Sequence, residues 1–384
     1  MNAFCFLLRV INIFVKYGAA GIFFILFSCH YPGDEKKYPV IEIGKAMETV
    51  SGFTVSEIAQ TITYVALETQ DNCLIGRYPN MNVWKDNILI SSLNQPLMVF
   101  SKKDGHFCRT IGHIGNDPGG YAKDGSGNIS WWVDKTKGTV YFQDWNPTSL
   151  LKYDMEGNFL GKVTLSSEGT PAPSLSMSYL YISNDTVTIH NKYISQKEDP
   201  FLFRFNGTKG DLLSAFPFSR EIQPSNIESI NYIYSTYIFF GGGVYQIYFH
   251  ENQMYTVTPN SPSLWEINGE MCLKESFIDT VYTVCPDALV PRILLNLGKW
   301  HWPYEKRNES DYSSNKIAID YILENNSIIY FHFHTGLYES REYCHSYCGV
   351  YDKLSGQTKV MKGEAITDDV NGFLPVTIEK VSSE

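Results

Sequence analysis

The sequence predicts an all-β fold, a six-bladed β-propeller of four-stranded antiparallel blades, closed by an N-terminal strand that joins the last blade. Three observations predict it. Aromatic residues make up 15% of the 384 residues, with 26 Tyr and 23 Phe, and 29 Gly and 17 Pro fall between short runs rich in Val, Ile, Tyr and Phe. Such runs read as many short strands joined by turns. A hairpin signature recurs, and its aromatics Phe100, Tyr153 and Phe205 stand 53 and then 52 residues apart. Self-similarity at a period near 50, with four strands per period, marks stacked blades rather than a β-sandwich.

The first hairpin joins 97–100 through SKKDG to HFCRTIG. The second joins 150–153 through DMEG to NFLGKVTL. The third joins 201–205 through NGTKG to DLLSAF, and the last joins 349–351 through DKLSG to QTKVM. Asp or Asn with Gly supplies each turn. Strand pairs precede the hairpins at 87–91, at 129–133 with 138–142, and at 180–182 with 186–189. Between 231 and 297 the pattern loosens, yet 244–249, 253–257 and 281–284 read as strands, and 327–334 belongs to the last blade. Five units are visible and a sixth is needed to fill the chain. Residues 61–67 (TITYVAL) are the natural closing strand, because ring closure hides sheet edges.

The N-terminus reads as an export signal. Arg9 and Lys16 precede an uncharged apolar stretch from 18 to 27, and Leu26-Phe27-Ser28 leads to Cys29. That arrangement fits a bacterial lipobox in which Cys29 becomes the acylated first residue. The two charges interrupt any clean membrane-spanning run. The expected organisation is a lipoprotein signal peptide at 1–28, a tether at 29–45 and a propeller at 46–384. The protein is expected to be exported and lipid-anchored to the cell envelope, at the outer membrane.

With a formal net charge of −10 and no basic cluster, nucleic acid is excluded as a partner. Cysteine spacing is irregular and sets no disulfide framework; Cys344 and Cys348 could pair only through a turn.

Several stretches resemble a known family. ITYVALET at 62–69 followed by CLIG at 73–76, the hairpin ending in Gly112 with the Gly115–Tyr121 loop behind it, LLKYDMEGNFL, and DTVYTVCPDALVPRILLNLG at 279–298 are similar to the six-bladed β-propeller lipoproteins of Bacteroidales, grouped with NHL and TolB-like propellers. The resemblance spans roughly residues 40–378 and implies fold and export. It carries no catalytic residue.

No GxSxG or HExxH motif is present. The 115–120 loop lacks the GK[ST] of a phosphate loop and reads as an inter-blade connection, and Gly241–Gly243 as a turn. His332 and His334 share one face of a strand. With Cys344, His345, Cys348 and the more distant His301 they are metal candidates, but their spacing is not that of a zinc module, so no metal and no cofactor are expected. Trp131, Trp132, Trp145, Trp300 and Trp302 could stack on sugar rings if exposed, though aromatics more commonly pack inside. The expected function is a non-enzymatic module, monomeric, binding a glycan, peptide or envelope protein. The alternative is a metal-assisted lyase or carbohydrate-active hydrolase using the propeller channel.

Overall fold

The computed structural model describes residues 38–166, 173, 175, 178–191, 199–217, 264–306, 314–336, 344–372 and 374–378, together with the backbone of strands within 232–257. The expected signal peptide at 1–28, Cys29 and Gly241–Gly243 lie outside the described residues.

β1 (Val40–Ile41) opens the chain. The first sheet holds β2 (Asn80–Trp84), β3 (Asn87–Ser91), β4 (Leu97–Ser101) and β5 (Phe107–Ile111), and a short parallel pair, β6 (His113–Ile114) and β7 (Gly120–Tyr121), leads out of it. The second holds β8 (Trp131–Asp134), β9 (Thr139–Gln143), β10 (Ser149–Asp154) and β11 (Phe159–Thr164). The third holds β12 (Ser178–Ser183), β13 (Thr186–Asn191), β14 (Pro200–Asn206) and β15 (Leu212–Pro217). A three-stranded sheet follows, of β16 (Tyr232–Tyr237), β17 (Val244–His250) and β18 (Gln253–Val257). Next come β19 (Leu264–Ile267), β20 (Glu270–Lys274), β21 (Thr280–Val284) and β22 (Leu289–Leu295). Last come β23 (Ile317–Glu324), β24 (Ile328–Thr335), β25 (His345–Asp352) and β26 (Thr358–Lys362). Every four-stranded set is an antiparallel meander, as the hairpin signatures predict.

All four signature turns fold as read. Gly105, Gly157, Gly210 and Gly356 take left-handed φ of +73°, +92°, +86° and +71°, a conformation open to glycine at little cost. In the first three hairpins the repeated aromatic sits at a register shift and meets Phe107, Phe159 or Leu212 across the strands. Phe100, Tyr153 and Phe205 are buried as a result.

The central strands explain the apolar runs. NILIS, VTIH and IIYFHFHT have both faces buried, whereas the outermost strands β5, β11 and β15 alternate toward solvent. Sheets pack face to face in chain order. Leu89, Val99 and Ile111 meet Trp131, Val140 and Phe142; Leu150 and Val163 meet Val187 and Phe205. Phe201 and Phe216 of the third sheet meet Leu264 and Leu273, and Ile267 and Val281 meet Ile319 and Phe331 of the last. First strands approach one another along this series: β8 with β12, β12 with β19, β19 with β23. The architecture is propeller-like. A buried carboxylate ties its last two sheets: Glu324 accepts from Arg292 at 2.7 and 2.9 Å, Lys353 at 2.7 Å and Trp265 at 2.9 Å. Burial opposes its charge, yet these bonds hold the carboxyl below the usual glutamate range.

Three expectations need correction. The third sheet packs directly on the β19–β22 sheet, so the described residues show five face-packed sheets, not six; the three strands at 232–257 do not form a blade between them. Residues 61–67 form no strand. The last sheet draws all four of its strands from 317–362, without them. Instead Ile58, Ala59 and Ile62 pack on the last sheet, while Val65 and Leu67 pack on the first. Finally, the folded unit starts at Tyr38, not residue 46. β1 pairs in parallel with the outer edge of β22, and Ile41 and Ile43 are fully buried.

One contact recurs between neighbours. Ser166 donates its backbone N–H to the turn glycine Gly210 of the third sheet at 2.9 Å, and Glu68 donates to Gly105 of the first sheet at 2.9 Å. A Cβ on Gly105 would collide with the Ala66 carbonyl, whereas one on Gly269, also left-handed at +79°, meets nothing within 4 Å. Gly269→Ala therefore costs the backbone strain alone, about 1 kcal/mol. Gly105→Ala adds displacement of the 66–68 backbone and costs about 3 kcal/mol. Urea denaturation of the two variants checks the difference.

Candidate functional site

The face of the last sheet turned toward residues 53–62 carries a buried polar cluster. β24 alternates: Ile329, Phe331 and Phe333 enter the core shared with the β19–β22 sheet, so Tyr330, His332 and His334 take the opposite side. On β23 the ladder pairs Ile319 with Phe333 and Tyr321 with His332, skipping Asp320. This bulge gives Asp320 and Tyr321 to the same side as the histidines. β25 places Ser346 opposite His334. Gly363, bonded to Ser346 O at 2.8 Å, turns the chain so that Glu364 reaches back.

The geometry is tight. Asp320 Oδ2 lies 2.7 Å from His332 Nδ1 and 2.6 Å from His334 Nδ1. The other nitrogen of His332, Nε2, lies 3.0 Å from both Ser346 Oγ and Glu364 Oε1. Ser346 Oγ donates to Glu364 at 3.0 Å. The Tyr321 ring stacks on His332, centroids 5.2 Å apart and 12° from parallel. The side chains of Asp320 and His332 are 0% exposed, that of His334 7% and that of Glu364 14%.

Burial alone would strip the proton from His332, but hydrogen bonds to Asp320 and Glu364 outweigh it and lift the imidazole to about 9. Burial likewise opposes the charge of Asp320, and the two imidazoles hold that carboxyl well below its usual range. Burial pushes the nearby thiols up, Cys344 to about 11 and Cys348 to about 12, so neither is a ready nucleophile.

Among the described residues, Asp320, His332 and His334 bring their donor atoms within 4.8 Å of one another. The sequence pointed to the two histidines and missed Asp320, Ser346 and Glu364. A lone acid inside the apolar run IAIDYILE was the available signal for Asp320. The other candidates do not join: His301 pairs with Asp279 at 2.5 Å, and neither Cys344, His345 nor Cys348 enters the converging group. Cys344 and Cys348 are free thiols. Cys344 directly precedes β25 and Cys348 lies within it, so the extended chain sets them about 13 Å apart, beyond disulfide reach.

The aromatic candidates divide. Trp131 and Trp302 are buried, and Trp132 and Trp300 pack against cores. Trp145 is 52% exposed, and its indole donates to Gly115 O at 2.6 Å. The 115–120 loop links the first two sheets as expected, with Tyr121 stacked on Phe142 at 4.0 Å.

The chain belongs to the family described as "Domain of unknown function (DUF4934)", whose profile matches residues 38–384. No match was found among curated proteins. A crystal structure described as a "putative exported protein" from Bacteroides fragilis is similar at 17% identity, covering 84% of this chain and 80% of that one, with a TM-score of 0.54. A member of the duf4221 family from Bacteroides vulgatus aligns at 8% identity over 75% and 82% of the two chains, with a TM-score of 0.45. Among the described residues no helix is long and apolar enough to cross a membrane.

Asp320 is the acceptor on which both imidazoles depend. In chelator-treated protein, Asp320→Asn is expected to lose about 3 kcal/mol of stability, the scale for breaking a buried charge pair. Glu364→Gln, nearer solvent, is expected to lose about 1 kcal/mol. Urea unfolding followed by tryptophan fluorescence measures both.

Proposed function

We propose that this member of the DUF4934 family is an exported, lipid-anchored envelope protein whose propeller is a non-enzymatic binding module for a glycan, a peptide or another envelope protein. The observation that supports it is the placement of exposed aromatic surface. In each meander the chain enters the first strand, and crosses from second to third, at the same end of the sheet. Tyr78, 77% exposed, precedes β2, and Trp145, 52% exposed, lies between β9 and β10. Both therefore belong to that end. Tyr78 holds a left-handed φ of +53°, a cost that local function can justify. Trp145 is fixed by its bond to Gly115, which leaves a pre-set ring face for stacking on a sugar or an aromatic side chain.

Residues 53–75, which touch both the last sheet and the first, close the ring in place of a shared strand and make the scaffold rigid. Cys29 carries the lipid, and the chain acts as a monomer. The reading as a metal-assisted lyase or hydrolase is less well supported: His332 is fully buried, and the cluster meets solvent only at the edges of His334 and Glu364.

Two outcomes test the proposal. Cys29→Ala is expected to abolish incorporation of labelled palmitate and to release the protein from the membrane fraction; palmitate retained in the variant rules out the lipobox. On glycan and peptide arrays, the full chain is expected to select a defined ligand set, and Trp145→Ala to weaken that binding by tenfold or more. Turnover of an arrayed glycan would instead favour the enzyme.

A further inference from the structure

We propose that Asp320, His332 and His334 bind one divalent transition-metal cation of the zinc class, through Asp320 Oδ2 and the Nδ1 atom of each histidine. The donor set is the first argument. Two imidazoles and one carboxylate suit zinc and its first-row neighbours. The three donor atoms already lie within 4.8 Å of one another, with all three residues buried.

The second argument is the backbone that brings them together. Ile319 and Ile322 both pack toward the β19–β22 sheet. The two residues between them fall on the other side because of the bulge at Asp320. Without that extra residue, no carboxylate would stand between two histidines spaced two apart. Bulges that aim one side chain are typical of functional sites.

The third argument is what stands behind His332. Its Nδ1 faces Asp320, and its Nε2 lies 3.0 Å from Glu364 Oε1. A metal-bound histidine commonly donates its second N–H to a carboxylate, which fixes the ring and raises its basicity. Ser346, 3.0 Å from both His332 Nε2 and Glu364 Oε1, holds that carboxylate in place. Charge agrees as well: a dication with two neutral imidazoles balances the carboxylates of Asp320 and Glu364 in a buried site. The Nδ1–Oδ2 separations of 2.7 and 2.6 Å need to open only to about 3.4 Å to surround a tetrahedral ion held by bonds of about 2.1 Å. His334 and Glu364, at 7% and 14% exposure, mark the side open to solvent. Three protein donors leave a tetrahedral position for water.

The experiment uses the full chain purified in detergent and stripped with a chelator, then titrated with Zn²⁺ and Co²⁺. Expected are one bound ion per chain, a Co²⁺ absorption spectrum of mixed nitrogen and oxygen ligation, and a higher melting temperature. Asp320→Asn and His334→Ala are expected to lose stoichiometric binding. Glu364→Gln, whose side chain reaches solvent, is expected to fold and to bind 10- to 100-fold more weakly. Wild-type protein that takes up neither ion overturns the proposal. So does a folded Glu364→Gln variant with unchanged affinity, or uptake that persists in His334→Ala. The wild-type titration and the Glu364 variant decide the matter even where a core variant fails to fold.

Discussion

Everything in this fold depends on central strands that are buried on both faces. A sheet with one wet face can stand against a single partner, but β3, β13 and β24 must be covered twice. Each sheet therefore needs a neighbour on either side, and a row of such sheets has two bare faces unless something lies between its ends. Residues 53–75 pack on both end sheets, with Phe53, Val55 and Ile62 against the last and Val65, Leu67 and Cys73 against the first. Their polar groups are anchored too: Tyr64 donates to Asp368 at 2.9 Å and Ser56 to Asp369 at 2.6 Å. Side chains can cover a sheet face without joining its ladder, as Ile58, Ala59 and Ile62 do on the last sheet.

This explains what was legible in the sequence. The hairpins could be read residue by residue because a turn is local chemistry: an Asx side chain, a left-handed glycine, then an aromatic that falls into the core. The closing segment could not. TITYVAL has the composition of a strand, but a strand forms only where it finds a ladder partner, and the last sheet is built by β23–β26 without it. The blade count failed for a related reason. The period near 52 holds from the first to the third sheet, and extending it across 218–263 assumed a blade where the third sheet already meets the β19–β22 sheet. The histidines were visible through their spacing, whereas Asp320 depends on a bulge, and bulges are settled by the partner strand.

The two buried carboxylates of β23 show why polar groups in the same strand serve different ends. Glu324 meets Arg292, Lys353 and Trp265. Its charge is met by permanent cations from both sheets, which makes it a cross-link between them. Asp320 meets the imidazoles of His332 and His334, whose charge depends on a proton or on a metal. An arginine in place of either histidine would have given a second cross-link of the Glu324 kind. Histidine keeps the positive charge exchangeable.

That exchangeable charge sits beside the segment that covers the bare faces. Glu364, at the back of His332, begins the stretch that continues through Ile366, buried among residues of the last sheet and Phe53. Thr367 follows, bridged to Thr54, and then Asp368 and Asp369, which hold Tyr64 and Ser56. Only three residues separate Glu364, which orients His332, from Asp368, which anchors Tyr64. An ion fixing His332 would fix Glu364 by charge-assisted hydrogen bonding, and the backbone passes that restraint directly to the anchor. The cluster sits on the ladder of β23, β24 and β25, and the chain from Glu364 to Asp369 ties it to residues 53–64, where residues 61–64 have no ladder of their own.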